Sequence, residues 1–437
     1  MDLEVSSEPN SDSEDLDNNS ELDSLDLEVS SEPSSDSEDE SSFSDMEGNS
    51  SIEEEDPVLA ERERFRRVMC KTKPVSTWNC DMELMHREHN FINRIGWRGG
   101  HTSDQSFGEG YHKSGQVLGQ LTLWNTLKPR YAKCLNFNQD GDLLCAGTDD
   151  HIIVWNWAKN RTLTNYRPDI KGKIMQIKFI DSAGSLDIVS ASSDGQMLRT
   201  IVPPSGGAPM SSHCLYEHIG CVRDFEIVPR SRHEILSAGD YGIVKLFDLR
   251  VSSAATTAVQ CVETREGVDL YTIAHHPFAP EFCVGGDDVK LNVYDKRKMT
   301  RAVHEITPRN LKDSNSDNKP DITSAVYNHS GSELLACYRR TGNYLFDSRN
   351  YTDGDFLHYY RKHFREINFF GPRSEYIVSG DFNGIYFWDK NTGEIICENM
   401  DEKAKAVICL KPHPWKPMLA TAALIKPGIH IWIPNGP

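Results

Sequence analysis

The stretch SAGDYGIVKLFDLR, Ser237–Arg250, decides the fold class of this chain. A strand of small residues leads into the turn DYG, and a second, apolar strand ends in an aromatic-Asp pair followed by Leu and Arg. Gly and Asp favour a tight turn, and the short alternating segments on either side are typical of antiparallel strands. The same arrangement returns 47 residues later in VGGDDVKLNVYDKRK, Val284–Lys298. A recurring strand-turn-strand unit therefore organises the chain.

Seven such units follow one another from residue 117 onward, and each ends in an apolar strand. The strand ends are Trp155-Asn156, Thr200-Ile201, Phe247-Asp248, Tyr294-Asp295, Phe346-Asp347, Trp388-Asp389 and Trp432-Ile433. Successive ends lie 42 to 52 residues apart, and a period of about 40–45 residues with four strands per unit is typical of a WD40 propeller blade. The second and seventh ends lack the aromatic-Asp pair. We expect an all-β, seven-bladed WD40 β-propeller over residues 117–437.

A ring of seven such repeats needs one strand from outside the repeats to close its last blade. The segment VLGQLTL, Val117–Leu123, has a strand-like pattern and directly precedes the first unit. We expect it to pair with the final unit near Val407–Ile433 and so to remove an open sheet edge.

Residues 1–57 differ sharply in composition from the rest of the chain. They hold 22 Asp and Glu residues and no Lys or Arg, and subtracting these charges from the net charge of −19 leaves +3 for the other 380 residues. The stretch Asp2–Asp15 is repeated with one change at Asp26–Asp39. A segment this acidic and poor in aromatic residues buries too little apolar surface to offset its chain entropy. We expect a disordered acidic tail.

Several serines of this tail have an acidic residue three positions later. Among them are Ser11, Ser35, Ser37 and Ser51. This spacing suits an acid-directed kinase, so we expect these serines to be phosphorylation candidates. The alternative is a solubilising tail in which the serines are only polar filler.

Residues 58–116 join the tail to the predicted propeller and form a helical and loop transition. Ala60–Val68 is strongly charged and predicts a short helix, and Asn79–Asn90 carries Met and His at helical spacing. Arg94–Ser114 is rich in Gly, His and Ser and predicts a loop.

The composition of the body argues against several classes of partner. A nearly neutral body without a basic stripe does not favour nucleic acid as a ligand. No apolar run approaches the roughly 20 residues needed to cross a bilayer, so we expect no membrane partner. The eleven Cys residues are scattered and form no Cys-x-x-Cys pair. This pattern suits reduced thiols in the nucleus and cytoplasm.

The sequence offers little that indicates catalysis. It contains no Gly-x-Ser-x-Gly, phosphate-loop or His-Glu-x-x-His motif, so we expect a non-enzymatic protein without catalytic residues or a cofactor. A zinc site could be suggested by His213, Cys214, His218 and Cys221. His218, however, precedes a predicted strand, where WD40 units often carry a structural His, and the others fall in a predicted loop. We therefore expect no metal site.

The turns between the second and third strands of the units should all emerge on one face of a propeller. They carry Asp149, Asp150, Asp194, Asp240, Tyr241, Asp287, Asp288, Arg339, Arg340 and Asp381. Some of these carboxylates will be used within their own turns, but the remainder should leave the face negative. We expect this to be the substrate face and the substrate to bind through a basic segment.

The strand ends carry one further feature, an Arg two residues after the Asp. It is present in consecutive units as FDLR (Phe247–Arg250) and YDKR (Tyr294–Arg297), and it returns as FDSR (Phe346–Arg349). This aromatic-Asp-x-Arg box, here called the Arg box, resembles that of the propeller substrate receptors of cullin-4 RING ubiquitin ligases. Within residues 121–434, phrases such as FFGPRSEYIVSGDFNGIYFWDK and LKPHPWKPMLAT are most similar to the DDB-and-cullin-4-associated factor eight subfamily.

The resemblance implies a substrate receptor that binds the ligase adaptor, and through it the cullin-4 scaffold, while it holds a protein substrate for ubiquitin transfer. Carried over by position, the adaptor-binding residues are Asp248, Arg250, Asp295, Arg297 and Arg349. Arg has a planar, permanently charged fork that a paired Asp can orient. Two alternatives stay open: the Asp-Arg pairs only cap their own blades, or the chain is a WD40 scaffold of a nuclear assembly with no ligase connection.

Overall fold

The computed structural model describes residues 84–85, 104–127, 131–180, 186–231, 233–250, 259–263, 267–312, 320–352, 354–361 and 366–435. In this part of the chain, 28 strands form seven four-stranded antiparallel sheets, which are the blades of a β-propeller. The predicted all-β architecture and the number of blades are confirmed. The tail and Ala60–Val68 lie outside the described residues. Within Asn79–Asn90 only Leu84 and Met85 are described, and both are helical and exposed.

Two helices and a strand precede the first complete blade. They are α1 (Asp104–Lys113), α2 (Gly115–Gly119) and β1 (Leu121–Leu127). Blades 1 to 3 comprise β2 (Ala132–Phe137), β3 (Leu143–Thr148), β4 (Ile152–Asn156), β5 (Arg161–Tyr166), β6 (Ile174–Ile180), β7 (Leu186–Ser192), β8 (Gln196–Val202), β9 (Ser211–Glu217), β10 (Val222–Ile227), β11 (Glu234–Gly239), β12 (Ile243–Asp248) and β13 (Val259–Glu263). A 3-10 turn, Asp240–Gly242, joins β11 to β12.

Blades 4 to 6 continue this order, and blade 7 takes its outer strand from β1. They comprise β14 (Leu270–His275), β15 (Glu281–Gly286), β16 (Asp288–Asp295), β17 (His304–Ile306), β18 (Ile322–Tyr327), β19 (Glu333–Tyr338), β20 (Gly342–Asp347), β21 (His358–Tyr360), β22 (Glu366–Phe370), β23 (Tyr376–Gly380), β24 (Ile385–Asp389), β25 (Ile395–Asn399), β26 (Val407–Pro412), β27 (Leu419–Ala423) and β28 (Gly428–Pro434). A short helix, α3 (Arg309–Lys312), follows β17, and a 3-10 turn, Glu402–Ala404, follows β25.

The ring closes through β1, which pairs antiparallel with β28 from Leu121 opposite Pro434 to Leu127 opposite Ile429. A closing strand was predicted, but the bounds Val117–Leu123 were wrong, because Val117 and Leu118 belong to α2. Adjacent residues of a strand point to opposite faces, whereas both of these side chains are buried. A helical turn allows both to pack.

The prediction of a loop over Arg94–Ser114 was also wrong for its last part, which is helix α1. This helix packs against blade 6. The Tyr376 hydroxyl donates a hydrogen bond of 2.6 Å to the carbonyl oxygen of Lys113, and the His112 ring meets the Phe370 ring edge-on with centroids 5.3 Å apart. The polar composition of α1 hid a helix that is stabilised by tertiary contacts such as these.

The hydrophobic core lies between neighbouring blades. The residue that begins each predicted strand-end pair is buried in all seven units: Trp155, Thr200, Phe247, Tyr294, Phe346, Trp388 and Trp432. Between blades 4 and 5, for example, Val293 packs in one cluster with Leu334 and Phe346. The recurring aromatic that revealed the repeat in the sequence is therefore the side chain that fills the space between blades.

Polar bonds connect the inner strands of successive blades. The Gln176 side-chain amide donates to Asp224 Oδ1 at 2.9 Å, and the backbone N–H of Ile273 donates to Asp224 Oδ2 at 3.1 Å. One carboxylate thus joins blades 2, 3 and 4, which fixes each blade relative to the next.

The antiparallel order of each blade places its turns on two opposite faces. The turns from first to second and from third to fourth strand emerge on what we call the Arg-box face. The turns from second to third strand and the connections between blades emerge on the Asp-turn face. None of the helices in the described ranges has the length and apolar character needed to cross a membrane.

Closure by β1 can be tested by truncation. Removing residues 1–127 takes β1 away and leaves β28 as an open edge, so the shortened chain should aggregate. Removing only residues 1–103 keeps α1, α2 and β1 and should give a soluble monomer. Size-exclusion chromatography with light scattering compares the two, and equal behaviour would contradict the role of β1.

Candidate protein interaction surfaces

The three Arg boxes share one local geometry on the Arg-box face. In blade 3, Asp248 Oδ1 accepts the backbone N–H of Arg250 at 2.9 Å and its Nε–H at 3.0 Å. In blade 4, Asp295 Oδ1 accepts the same two groups of Arg297 at 2.9 and 3.1 Å. A further bond from Nη2 to the second carboxylate oxygen completes each fork. The Asp therefore closes its own turn and at the same time orients the guanidinium.

Blade 5 repeats this fork between Asp347 and Arg349, where Nε and Nη2 donate to the two carboxylate oxygens at 2.9 and 3.0 Å. In all three blades the Asp is mostly covered while the Arg is open to solvent. The side chains of Arg250, Arg297 and Arg349 are 64, 73 and 51% exposed. The pairs do cap their blades, and they also present oriented guanidinium groups.

An ion pair connects the boxes of blades 3 and 4. Lys296, directly after Asp295, forms a salt bridge with Glu234 of β11, and Glu234 is the register partner of Asp248 across blade 3. The Lys296 ammonium thus fixes the blade 4 box against the blade 3 box. The equivalent Lys390 of blade 6 reaches Glu333 of blade 5 at 2.7 Å.

On the Asp-turn face most of the predicted carboxylates accept hydrogen bonds near their own turns. Asp194 Oδ2 accepts the backbone N–H groups of Lys171 and Gly172 at 2.9 and 3.1 Å. Asp240 accepts from the backbone of Cys221 and from the Arg223 guanidinium. Asp149 pairs with Lys133, and Asp381 accepts the backbone of Asn383 and Gly384 within its turn. Asp381 and Asp194 accept backbone N–H groups within their own turns, whereas the partners of Asp149 and Asp240 lie outside their turns.

In one sector of this face, in blades 3 and 4, an exposed Tyr and several carboxylates lie near the Arg223 guanidinium, which pairs with Asp240 at 3.0 Å and approaches Asp269 at 4.0 Å. Tyr241 sits in the left-handed region with φ 62°, and its ring is 58% exposed. Its backbone N–H donates to Asp269 Oδ1 at 3.1 Å, and the carbonyl oxygen of Asp269 accepts the backbone N–H of Asp287 at 2.8 Å. Asp287 is exposed. An aromatic ring and two carboxylates are therefore grouped through Asp269.

The basic residues predicted on the same face belong to the neighbouring sector. Arg339 forms an ion pair with Asp321 at 3.1 Å, and its guanidinium carbon lies 5.9 Å from the centroid of the Tyr271 ring. Arg340 adopts φ 70° in the same turn. In blade 1, Asp150 pairs with His151 at 2.9 Å.

The cysteine and histidine group considered for zinc is dispersed. His213 and Cys214 lie in β9, whereas the buried His218 contacts the Ser237 hydroxyl at 2.7 Å. Burial lowers the pKa of His218 to about 3, so its ring is neutral near neutral pH. Across the described residues, no group of three or more His, Cys, Asp and Glu side chains is arranged to hold a metal ion. The four candidate serines, Ser11, Ser35, Ser37 and Ser51, lie outside the described residues.

Comparisons with known proteins agree with this architecture. The WD domain, G-beta repeat family model matches residues 128–156. The crystal structure of the Cps50 (Swd1) β-propeller domain of Myceliophteria thermophila covers 72% of this chain and 100% of that chain, with a TM-score of 0.58 and 16% identity. The fold is a seven-bladed WD40 β-propeller. At 16% identity this match supports the fold alone.

Sequence relatives include DDB1- and CUL4-associated factor 6 of Homo sapiens, 27% identical over 240 residues that cover 50% of this chain and 27% of that protein. WD and tetratricopeptide repeats protein 1 of Homo sapiens is 26% identical over 152 residues, 34% of this chain and 22% of that protein. Target of rapamycin complex 1 subunit mip1 of Schizosaccharomyces pombe is 24% identical over 285 residues, 62% of this chain and 20% of that protein. The chain spans about a quarter of the length of these relatives.

Sequence reasoning missed the side chains that support the Arg boxes. In the Arg-box pattern Lys296 is only the variable residue, and its partner Glu234 lies 62 positions earlier. A pattern was available, because YDK (Tyr294–Lys296) and WDK (Trp388–Lys390) both place a Lys after the aromatic-Asp pair. The pairing itself needs the neighbouring blade and could not be read from the sequence.

The fork between Asp248 and Arg250 allows a prediction about the pKa of Asp248. Hydrogen bonding from Arg250 lowers the pKa of Asp248 from 3.8 to about 2. The stabilisation from this pair is therefore present above about pH 4 and is lost as the pH falls toward 2. Arg250→Ala should raise the Asp248 pKa toward 3.8, as measured by NMR titration with isotope-labelled aspartate. Thermal unfolding at neutral pH should change little, because an exposed ion pair contributes little to stability.

Arg297→Ala is the matched control, because it removes the same group from the next blade. It should leave the Asp248 pKa near 2. An Asp248 pKa that does not respond to Arg250→Ala would contradict the fork.

Proposed function

We propose that this protein is the substrate-recognition subunit of a cullin-4 RING ubiquitin ligase, within the factor eight subfamily named above. The observation that carries the proposal is the repeated, exposed Asp-Arg fork at Arg250 and Arg297 in adjacent blades. The similarity to DDB1- and CUL4-associated factor 6 supports the same assignment. In this role the chain binds and positions proteins and performs no catalysis itself, in the nucleus and cytoplasm.

The Arg-box face is the proposed adaptor surface. Each guanidinium is oriented by its own Asp before binding, so less side-chain freedom is lost when a partner binds. The Lys296–Glu234 ion pair supports a fixed relation between the two forks. Carboxylates or carbonyl oxygens of an adaptor can accept the remaining N–H groups of the guanidinium, which has five donors. Arg349 extends this surface into blade 5.

The opposite face is the proposed substrate surface, and its proposed ligand is a basic segment. Tyr241, Asp269 and Asp287 combine an aromatic ring with carboxylates, which suits a Lys or Arg side chain. The left-handed backbone of Tyr241 supports a binding role as well. A non-Gly residue in this region costs about 1 kcal/mol or more and is enriched at functional sites.

A scaffold without a ligase connection is the second candidate. It is favoured by the similarity to a target of rapamycin complex 1 subunit, which covers 62% of the chain. The Arg forks distinguish the two candidates, because a scaffold has no need of the adaptor. Purification of the tagged chain from cells shows whether cullin-4 and its adaptor are retained.

The adaptor assignment predicts the effect of a double substitution. Arg250→Ala with Arg297→Ala should reduce adaptor binding at least about thirtyfold, since Arg anchors at interfaces can each contribute 2 kcal/mol or more. Arg349→Ala should have a smaller effect. Co-purification followed by affinity measurement with purified adaptor gives the result, and thermal unfolding should remain close to that of the unaltered chain.

A matched control removes two Asp-paired guanidinium groups from the other side of the ring. Arg223→Ala with Arg339→Ala breaks ion pairs with Asp240 and Asp321 on the Asp-turn face and should leave adaptor binding intact. If the Arg250 and Arg297 variant unfolds, the boxes are structural caps. If it folds and still binds the adaptor, another segment makes the contact, with Asn79–Asn90 the first to examine.

The substrate assignment predicts a salt-dependent interaction. Some proteins should bind the unaltered chain but not the double variant Tyr241→Ala with Asp287→Asn. These proteins should bind through Lys- and Arg-rich segments. Their association should slow as ionic strength rises. Loss of only acidic partners, with no dependence on salt, would contradict a basic ligand.

A further inference from the structure

Two turns of the Arg-box face have the same uncommon sequence, His-Pro-aromatic-x-Pro. They are His276–Pro280 in blade 4 and His413–Pro417 in blade 7. In the first, His276 Nδ1 accepts the backbone N–H groups of Phe278 and Ala279 at 3.0 and 2.8 Å. In the second, His413 Nδ1 accepts those of Trp415 and Lys416, both at 3.0 Å. Each imidazole thus closes a turn whose aromatic side chain projects outward.

The two aromatic residues are comparably exposed but differ in their surroundings. Phe278 is 56% exposed and Trp415 66%. The Trp415 indole N–H donates to the carbonyl oxygen of Gln139 at 2.7 Å, which ties it to blade 1. The Phe278 ring has no polar atom, and the Arg230 guanidinium carbon lies 4.5 Å from its centroid. Trp415 therefore has a structural partner, whereas Phe278 lies against a cation at the surface.

Phe278 is continuous with the proposed adaptor surface. The carbonyl oxygen of Pro280, at the end of its turn, accepts the backbone N–H of Lys296 at 2.7 Å, and Arg297 follows. Arg230 belongs to the corresponding turn of blade 3. This turn ends at His233, whose carbonyl oxygen accepts the backbone N–H of Leu249, inside the Arg250 box, at 2.7 Å. The Phe278 ring thus lies against Arg230, and the two turns that carry these side chains are bonded to the strand ends that lead into the Arg297 and Arg250 boxes.

The Arg230 side chain is exposed in its turn, where its backbone has φ 69°. Left-handed residues also occur in the same turn of blades 1 and 5, at Gly141 and Gly331, so this backbone conformation is a feature of the turn. An aromatic residue and Arg side chains close together are also the residue types enriched at interface hot spots.

We propose that Phe278 is the apolar anchor of the adaptor interface, covered on one side by Arg230 and flanked by Arg250 and Arg297. This inference rests on the proposed function and adds a residue that the Arg boxes do not include. The matching surface of the adaptor is an apolar pocket with carboxylates or carbonyl oxygens at its rim. Insertion of the ring removes water from around the guanidinium groups, which strengthens their hydrogen bonds to the partner.

The test compares Phe278→Ala with Trp415→Ala in the full-length chain. Both variants remove an exposed aromatic residue from the same kind of turn, so a general effect of the substitution would appear in both. With purified adaptor, Phe278→Ala should raise the Kd at least about tenfold, whereas Trp415→Ala should leave the Kd within about twofold of that of the unaltered chain. Phe278→Leu keeps an apolar side chain and should restore part of the affinity. Thermal unfolding checks that each variant is folded.

The outcomes separate this inference from the proposed function. If Arg250→Ala with Arg297→Ala loses the adaptor while Phe278→Ala binds it normally, the anchor is wrong and the ligase role stands. Equal losses in Phe278→Ala and Trp415→Ala would also overturn the anchor. If the unaltered chain does not bind the adaptor, the proposed function fails and the anchor fails with it.

Discussion

The pairing of β1 with β28 is the constraint on which the rest of this ring depends. It joins residues more than 300 positions apart, such as Thr126 and His430, whose side chains also share a bond of 3.1 Å. Without it, blade 7 would expose a strand edge, and the packing between blades would have an open end. With it, every blade has two neighbours, and buried aromatic residues such as Trp155 and Trp432 are enclosed on both sides.

Closure also determines what the turns can do. Because each blade is fixed by its neighbours, two turns one blade apart keep a constant relation, and a side-chain bond can bridge them. The Lys296–Glu234 ion pair is such a bridge. Glu234 lies opposite Asp248 in the pairing of β11 with β12, so the ion pair and the Asp248 fork are neighbours in blade 3. The sequence of neither box shows this relation. The positions of the Arg side chains are thus a property of the ring, although each fork is local.

The sequence predicted those features that repeat and those that are local. The period follows from the recurrence of the unit along the chain. The buried aromatic residues and the Asp turns follow from patterns within each unit. The start of β1 was misplaced because short apolar runs such as Val117–Leu118 fit a helix or a strand equally well. Helix α1 was missed because its polar sequence gains stability from blade 6, through contacts such as that of Tyr376. The Lys296 bridge and the stacking of Arg230 on Phe278 join different blades, so no local pattern could reveal them.

The two faces use charge in different ways. On the Asp-turn face, carboxylates such as Asp194 accept hydrogen bonds from nearby backbone and so shape the turns themselves. On the Arg-box face, Arg250 and Arg297 are oriented but remain exposed. An exposed ion pair adds little stability, so the fold does not explain why the same fork recurs in three blades. The proposed adaptor role gives the recurrence a reason, because an oriented guanidinium loses less freedom on contact. Since the faces are opposite, a partner on one leaves the other open, which is the geometry that the proposed ligase role requires.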